Sequence, residues 1–245
     1  MKCLSVFIKL LFVSAASLAT SGRAITLVLE EGVNGYSGTR DTTLFQDRPS
    51  NSAGGFPNFF SSVTNTPSPR RTLIKFDIPT TFPLGSTLTA VSLTLEVDQS
   101  RPGTVVHALR RVTRSWNEGN NPLTNPSNIG LGAPAQAGDA TWSHAAFNTT
   151  AWTTAGGDFS GTISATGSVG IAGTFATFSS AQMLADINAW RTTPANNFGW
   201  ILIGDETQQQ NARRYISSES PTGMHPRLTI TYTAPSGIDD WALLN

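Results

Sequence analysis

The stretch Arg71-Thr72-Leu73-Ile74-Lys75-Phe76-Asp77-Ile78-Pro79 decides the fold class of this chain. On an extended backbone, Thr72, Ile74, Phe76 and Ile78 would lie on one face, and Leu73, Lys75 and Asp77 on the other. Strict alternation of this kind is typical of a strand with one face on a core. The pattern therefore predicts a half-buried strand over Thr72–Ile78, with Leu73, Lys75 and Asp77 on its outer side.

The next run along the chain repeats the alternation, with apolar residues at every second position of Ala90–Asp98. Consecutive half-buried strands with charged outer faces indicate an antiparallel sandwich. Clusters of Gly, Pro, Asn and Ser separate further short segments of the same kind. We predict strands at Ile25–Glu30, Thr42–Gln46, Thr72–Ile78, Ala90–Asp98, Val105–Val112, Gly161–Ser164, Gly173–Phe178, Trp200–Ile203, Arg213–Ser217 and Arg227–Thr233. The expected fold is an all-β antiparallel sandwich.

One segment has helical rather than alternating spacing. Ser180 is placed as an N-cap, and apolar residues follow at Met183, Leu184, Ile187 and Trp190. We predict one short amphipathic helix, ending near residues 192–194 and packed on an edge or end of the sandwich. A long, polar, irregular loop is expected over Asn117–Gly138.

The first 24 residues have the pattern of a secretory signal peptide, and an uncleaved anchor is the alternative. Lys2 and Lys9 precede a short apolar stretch, Leu10–Ala19, and small residues flank a cleavage site after Ala24. We therefore expect one secreted domain over residues 25–233 and a linker or tail over residues 234–245. No second apolar segment is long enough to span a membrane.

The balance of charged residues gives no electrostatic reason to expect a nucleic-acid partner. The precursor has 16 basic and 16 acidic residues, and removal of the signal peptide would leave 13 basic ones. A chain of that balance has no excess positive charge with which to bind phosphates. No feature of the sequence specifies an oligomeric state.

Catalytic motifs with the required spacing are missing from the sequence. His107, His144 and His225 form no HExxH pair, and there is no GxSxG elbow or glycine-rich phosphate loop. His107 falls in a predicted strand, where a hydrogen-bonded sheet residue is expected. We predict a protein that is not an enzyme. A polysaccharide lyase or hydrolase is the alternative, with Tyr215 beside Arg213 as the pair that could serve a lyase.

Three tryptophans in predicted loops, Trp116, Trp142 and Trp152, are candidates for stacking on sugar rings. An exposed indole supplies a flat, rigid surface, and burial in the core is the alternative reading at each position. Arg213 and Tyr215 share one face of a predicted strand. Such a pair can bind an acidic sugar through a charge-assisted fork and ring stacking, whereas pairing with an acid on a neighbouring strand is the alternative.

Four acids lie close together in the sequence near the predicted N-terminal strands: Glu30, Glu31, Asp41 and Asp47. Carboxylate oxygens are the ligands that Ca²⁺ prefers, and such a site can tie down a terminus of an exported sandwich. We interpret Glu30, Asp41 and Asp47 as candidate ligands of a structural calcium ion. Because no DxDxDG loop is present, solvated surface acids are the alternative.

Six blocks of sequence follow one another along nearly all of residues 25–233. They are Asp41-Thr42-Thr43 with Ser50-Asn51-Ser52, Arg71–Ile78, Ala90–Leu95, Ser115-Trp116-Asn117-Glu118-Gly119 with Ala140-Thr141-Trp142, Asp186–Trp190 with Asn197-Phe198-Gly199-Trp200, and Ser217-Ser218-Glu219 with Pro226-Arg227-Leu228. In this order they resemble the DNRLRE domain family, also described as a carbohydrate-binding module family with alginate-binding members. The last block departs from the family pattern, because Pro226 precedes Arg227.

The resemblance implies a jelly-roll type of β-sandwich, secretion and noncatalytic attachment to polysaccharide. We therefore expect a secreted, noncatalytic carbohydrate-binding module that binds a polysaccharide. An acidic polysaccharide is the candidate ligand. A structural or adhesion module of the cell surface or matrix, without a small ligand, is the alternative. That alternative predicts buried loop tryptophans, whereas sugar stacking requires exposed ones.

Overall fold

The computed structural model describes residues 23–79, 82 and 85–234. Most of the expected signal peptide and of the expected tail lies outside these residues. The described part contains one α-helix, α1 (Ala181–Thr192), and fifteen strands. The strands are β1 Ala24–Leu29, β2 Thr39–Phe45, β3 Asn51–Ser52, β4 Asn58–Val63, β5 Pro69–Phe76, β6 Thr87–Ser100, β7 Val105–Val112, β8 Ala133–Pro134, β9 His144–Ala146, β10 Thr150–Ala151, β11 Phe159–Val169, β12 Phe175–Phe178, β13 Trp200–Ile203, β14 Arg213–Ile216 and β15 Arg227–Thr233.

Eleven of the described strands form one curled antiparallel sheet. Nine follow the order β1-β15-β6-β14-β4-β5-β13-β7-β11, while β12 pairs with β6 and β2 pairs with β5. Two short pairs, β9 with β10 and β3 with β8, lie outside this sheet. The predicted all-β, sandwich-like class is therefore confirmed.

The main core lies between the two halves of the curled sheet. Side chains of β6 and β15 meet those of β5, β7 and β13, and among the buried residues are Leu93, Ile230, Phe76 and Trp200. Burying a side chain of this size stabilises the fold by about 1.5–3 kcal/mol. The alternation first seen in Thr72–Ile78 and Ala90–Asp98 brings Phe76 and Leu93 to this side.

The helix has the predicted cap and the predicted buried positions. Ser180 Oγ accepts a hydrogen bond from the Met183 amide at 3.0 Å, and Met183, Ile187 and Trp190 are buried. α1 packs against β6 and β11. Asp186 is buried with the apolar residues of the helix, which the apolar pattern did not predict. None of the helices in the described part of the chain has the length and hydropathy of a bilayer-crossing helix.

The outer face of β5 is covered, contrary to prediction. Leu73 is fully buried, in a second cluster with Leu44, Ile201, Trp142 and Trp152. The two tryptophans belong to the long segment between β7 and β11, which folds back over the sheet. Because that segment is irregular, its packing onto the sheet had no periodic signal in the sequence.

Strand β4 was not predicted, although all six of its residues are buried. Its sequence, Asn58-Phe59-Phe60-Ser61-Ser62-Val63, does not alternate between apolar and polar residues. The serines are buried because they are hydrogen-bonded: Ser61 Oγ donates to the Leu202 carbonyl at 3.1 Å. Ser62 Oγ donates to the Asp205 carbonyl at 2.7 Å. β4 joins the two halves of the sheet, since it pairs with both β14 and β5.

Candidate functional site

Three carboxylates from distant parts of the chain converge at one edge of the sheet. Oxygen atoms of Asp41, Glu118 and Glu219 all lie within 4.8 Å of one another. Asp41 lies in β2 and is 1% exposed, Glu118 lies in the segment after β7, and Glu219 follows β14. We call these three residues the carboxylate cluster.

Glu118 is held in place by its neighbours. Trp116 Nε1 donates to the Phe198 carbonyl at 2.8 Å, which fixes the start of the segment. Gly54 allows close approach, because a Cβ there would lie 2.1 Å from the Glu118 carbonyl oxygen. Gly119 has φ +79°, and a Cβ there would meet the Asp139 carboxylate at 2.3 Å. Glu118 Oε1 then accepts a hydrogen bond from the Asp41 amide at 2.5 Å.

The Ser217-Ser218-Glu219 turn supplies the third carboxylate. Ser217 Oγ donates to the Phe56 carbonyl at 2.6 Å and accepts from the Glu219 amide at 3.1 Å. The Ser218 amide and hydroxyl both lie 2.9 Å from Asp41 Oδ2. These bonds fix the position of the Asp41 carboxylate beside the other two members of the cluster.

The electrostatics of the cluster disfavour three negative charges. Burial raises the pKa of Asp41 well above its usual range, and the Glu219 charge raises it further. Burial, followed by the charges of Asp41 and Glu219, raises the pKa of Glu118 to about 9. Burial also raises the pKa of Glu219. The one ion pair of the cluster among the described residues is long, with Arg40 Nε 3.7 Å from Glu118 Oε2.

This arrangement suits a hard divalent cation. Ca²⁺ takes six to eight oxygen ligands, often carboxylates, and tolerates irregular geometry. Asp41, Glu118 and Glu219 would provide three of those ligands, each from a different segment of the chain. A bound cation would supply the positive charge that the surrounding side chains do not.

The structure separates the acids predicted to bind calcium. Asp41 belongs to the carboxylate cluster, whereas Glu30 Oε2 accepts from Arg227 Nε at 2.6 Å and Asp47 pairs with Arg70 at 2.8 Å. Glu31 Oε2 accepts from the Thr39 amide at 3.3 Å, and its charge raises the pKa of Asp41.

Glu118 and Glu219 were missed because residues distant in sequence give no local clustering. Each stands in one of the blocks that carry the family resemblance, the W-x-E-G block and the S-S-E block. The aspartate of the first block is the third member of the cluster. All three members of the cluster therefore stand in blocks that carry the resemblance, and this was the signal in the sequence that could have identified them together.

The predicted exposure of the loop tryptophans is wrong for two of the three. Trp142 is 7% exposed and Trp152 is 5% exposed, both in the cluster that covers β5. Trp152 Nε1 donates to the Thr141 carbonyl at 2.8 Å, and the Arg71 guanidinium lies 4.9 Å from the Trp142 ring centre. Trp116 is partly buried. The three indoles therefore offer no open row of ring faces to a sugar chain.

Arg213 and Tyr215 are also interior residues, because β14 lies between β4 and β6. The Arg213 guanidinium donates to backbone carbonyls, including those of Gly103 at 2.6 Å and Gly170 at 2.9 Å, rather than to an acid. Tyr215 Oη lies 2.7 Å from Nδ1 of the buried His107. Burial raises the pKa of Tyr215 well above its usual range and lowers the pKa of His107 to about 3. Neither Arg213 nor Tyr215 is accessible to a polymer.

A groove of about 760 Å³ lies on the surface, and sequence reasoning did not find it. Four arginines line it, together with the amides of Asn65, Gln99 and Gln210: Arg48, Arg70, Arg101 and Arg214. Asp47 is the one acid in its lining. We call this surface the arginine-lined groove. Its residues come from several separate segments, so no local sequence pattern marks it.

The four arginines of the groove differ in their partners. Arg70 is buried and pairs with Asp47, and Arg214 pairs with Asp98. The exposed Arg101 donates to Asn65 Oδ1 at 3.1 Å. The guanidinium of Arg48, also exposed, makes no hydrogen bond or ion pair within the described residues. Two guanidinium groups in the groove are thus free of carboxylate partners.

Fold and site together define an all-β, sandwich-like protein with a cationic groove and, at a sheet edge, a carboxylate cluster that runs from buried Asp41 to exposed Glu219. The chain matches no protein-family model and no curated protein sequence.

Proposed function

We propose that this protein is a secreted, noncatalytic module that binds an acidic polysaccharide in the arginine-lined groove. The observation that carries the proposal is the pair of exposed arginines without acidic partners, Arg48 and Arg101, on one open cavity of about 760 Å³. The resemblance to the DNRLRE family supports the same class of ligand. The signal-like N-terminus supports export.

The chemistry of the groove matches a uronate polymer. A guanidinium offers a planar pair of N–H donors to a carboxylate, which gives charge-assisted, directional binding. The amides of Asn65, Gln99 and Gln210 can donate to and accept from sugar hydroxyls. Arg70 is buried and paired with Asp47, so it forms part of the wall of the groove and is not a free charge.

The proposal includes a structural role for calcium at the carboxylate cluster. A cation there would join β2 to the segments that carry Glu118 and Glu219. Those segments belong to blocks on which the family resemblance rests, so the resemblance and the cluster point to the same place. The calcium would stabilise the fold without contacting a ligand in the groove, because the two sites share no lining residue.

Affinity electrophoresis tests the proposed ligand class. Native gels containing alginate, polygalacturonate, xylan or cellulose should retard the protein only with the two acidic polymers. The double variant Arg48→Ala/Arg101→Ala should lose retardation, because it removes both unpaired guanidinium groups. Arg110→Ala is the matched control, since Arg110 lies outside the groove and donates to the Ser160 and Gly161 carbonyls.

A structural or adhesion module is the second candidate, favoured by the burial of Trp142 and Trp152. It predicts equal mobility in all four gels, for the wild type and for both variants. Retardation by any polymer that the double variant abolishes would exclude it.

A further inference from the structure

Two arginines of the described chain stand apart from the rest. The guanidinium groups of Arg48 and Arg111 make no hydrogen bond, ion pair or ring contact with the residues that the structure describes. Arg48 lines the arginine-lined groove, and Arg111 lines a separate cavity of about 560 Å³. An unpaired cation in a pocket is available to an anionic ligand.

The second cavity lies between the end of β7, the C-terminal half of α1 and Phe198. We call it the Arg111 pocket. Asn188, Thr193 and Asn196 contribute polar side chains to it. Phe198, which is partly exposed, also lines it, and Trp190 closes it toward the main core.

These groups match the parts of a uronic acid residue. The Arg111 guanidinium can bind the carboxylate through two parallel N–H donors. The amides of Asn188 and Asn196 can serve sugar hydroxyls as donors or acceptors. Phe198 can cover the apolar face of the ring.

The Arg111 pocket and the groove open at opposite ends of the sheet. β5 and β7 both pair antiparallel with β13, so they run parallel to each other. Arg70 of the groove is the second residue of β5, whereas Arg111 is the penultimate residue of β7. The two sites share no lining residue.

We propose that the Arg111 pocket is a second binding site for a carboxylate-bearing sugar unit. The module would then hold an acidic polysaccharide at two places. The choice of ligand class rests on the proposed function, while the pocket itself rests on its own geometry. Two sites on one rigid body raise the apparent affinity for a long chain well above that for a short one.

Isothermal titration calorimetry with tetrasaccharides of galacturonate and of guluronate tests the second site. The wild type should bind two tetrasaccharides per chain. Arg111→Ala and Arg48→Ala/Arg101→Ala should each bind one, and the combined variant none. On alginate or polygalacturonate gels, Arg111→Ala should lower the apparent affinity for the polymer by about 10-fold or more.

Controls separate loss of binding from loss of fold. Arg111→Lys keeps the charge and should retain the second site with weakened affinity, whereas Arg110→Ala should bind two tetrasaccharides. Arg111→Ala and Arg111→Lys should unfold at the same urea concentration as the wild type, since the Arg111 guanidinium makes no hydrogen bond, ion pair or ring contact with the described residues.

The outcomes distinguish the two proposals. One tetrasaccharide per wild-type chain, unaffected by Arg111→Ala, overturns the second site and leaves the groove intact. Binding lost in Arg111→Ala but kept in Arg48→Ala/Arg101→Ala supports the pocket and overturns the groove. No heat of binding with either tetrasaccharide, together with no retardation by either polymer, overturns both.

Discussion

Asp41 and Asp186 are buried almost equally, at 1% and 2% exposure, in opposite surroundings. The Asp186 carboxylate accepts hydrogen bonds from Ser164 Oγ at 2.6 Å, Trp200 Nε1 at 2.9 Å and Gln182 Nε2 at 3.2 Å. Asp41 accepts from Ser218 and faces two further carboxylates. Asp186 is thus satisfied by neutral donors, whereas the three carboxylates of the cluster have one long ion pair, to Arg40, among the described residues. Equal burial therefore has different consequences. Asp186 stabilises the core without an ion, whereas a bound cation would stabilise Asp41 and its neighbours.

The largest effect should follow from loss of the Asp186 carboxylate. Asp186→Ala would leave the Trp200 indole N–H and the Ser164 hydroxyl without their acceptor in the core, and should destabilise the fold by about 3–5 kcal/mol. Urea unfolding followed by tryptophan fluorescence measures this. Asp186→Asn is the matched control and should lose less, because it keeps one acceptor oxygen. A change within about 0.5 kcal/mol for Asp186→Ala would show that Asp186 does not stabilise the core.

Added calcium should stabilise the fold through Asp41, the second acid of the comparison. At a calcium concentration 100 times Kd, the wild type should gain about 2.7 kcal/mol of stability over protein in a chelator. Asp41→Asn should gain nothing from calcium, and in chelator it should be at least as stable as the wild type, because a like charge is removed. Asp47→Asn is the control and should keep the full response, since Asp47 pairs with Arg70. An unchanged melting temperature of the wild type with calcium would exclude the ion.

The pH dependence without metal should run opposite to that of an ordinary salt-bridged acid. The folded pKa of Glu118 is raised from 4.5 to about 9, so the folded state binds the extra proton between those values. Stability should therefore be greatest below about pH 4.5 for this group and should fall as pH rises toward 9. The loss of stability from this source should continue over the whole range from about pH 5 to pH 8. Urea unfolding in chelator measures it, and Glu118→Gln should flatten the profile.

The smallest effect should come from breaking an ion pair at the surface. Asp77 lies 3.6 Å from Lys75 Nζ and is largely exposed. Lys75→Ala should change stability by about 0.5 kcal/mol or less, because water and salt screen such a pair. The same urea titration measures it. A loss above about 1 kcal/mol would mean that Lys75 contributes through packing rather than through charge.

Periodic segments were predictable from the sequence, and aperiodic ones were not. Val105–Val112, Trp200–Ile203 and Arg227–Thr233 have the predicted bounds, and Ser180 caps the helix as predicted. β4 escaped prediction because its buried serines do not alternate with apolar residues.

The site residues were harder to predict, for a related physical reason. Asp41 could be named because acids cluster near it in sequence, but Glu118 and Glu219 reach it only through tertiary packing. Trp142 and Trp152 were placed in solvent because loops usually lie there. Here the loop itself forms a core with the outer face of β5.

The carboxylates beside β2 have one more consequence. Within the described sheet, β2 pairs with β5 alone, so one of its edges lacks a neighbouring strand. On that strand the amide of Asp41 donates to Glu118 and the amide of Thr39 donates to Glu31. An unpaired strand edge is a template for pairing with another chain, and inward-pointing charges are one way that proteins block it. Glu118 and Glu31, whose charges repel the neighbouring carboxylates, thereby also oppose pairing of β2 with a strand of another chain, and so oppose aggregation.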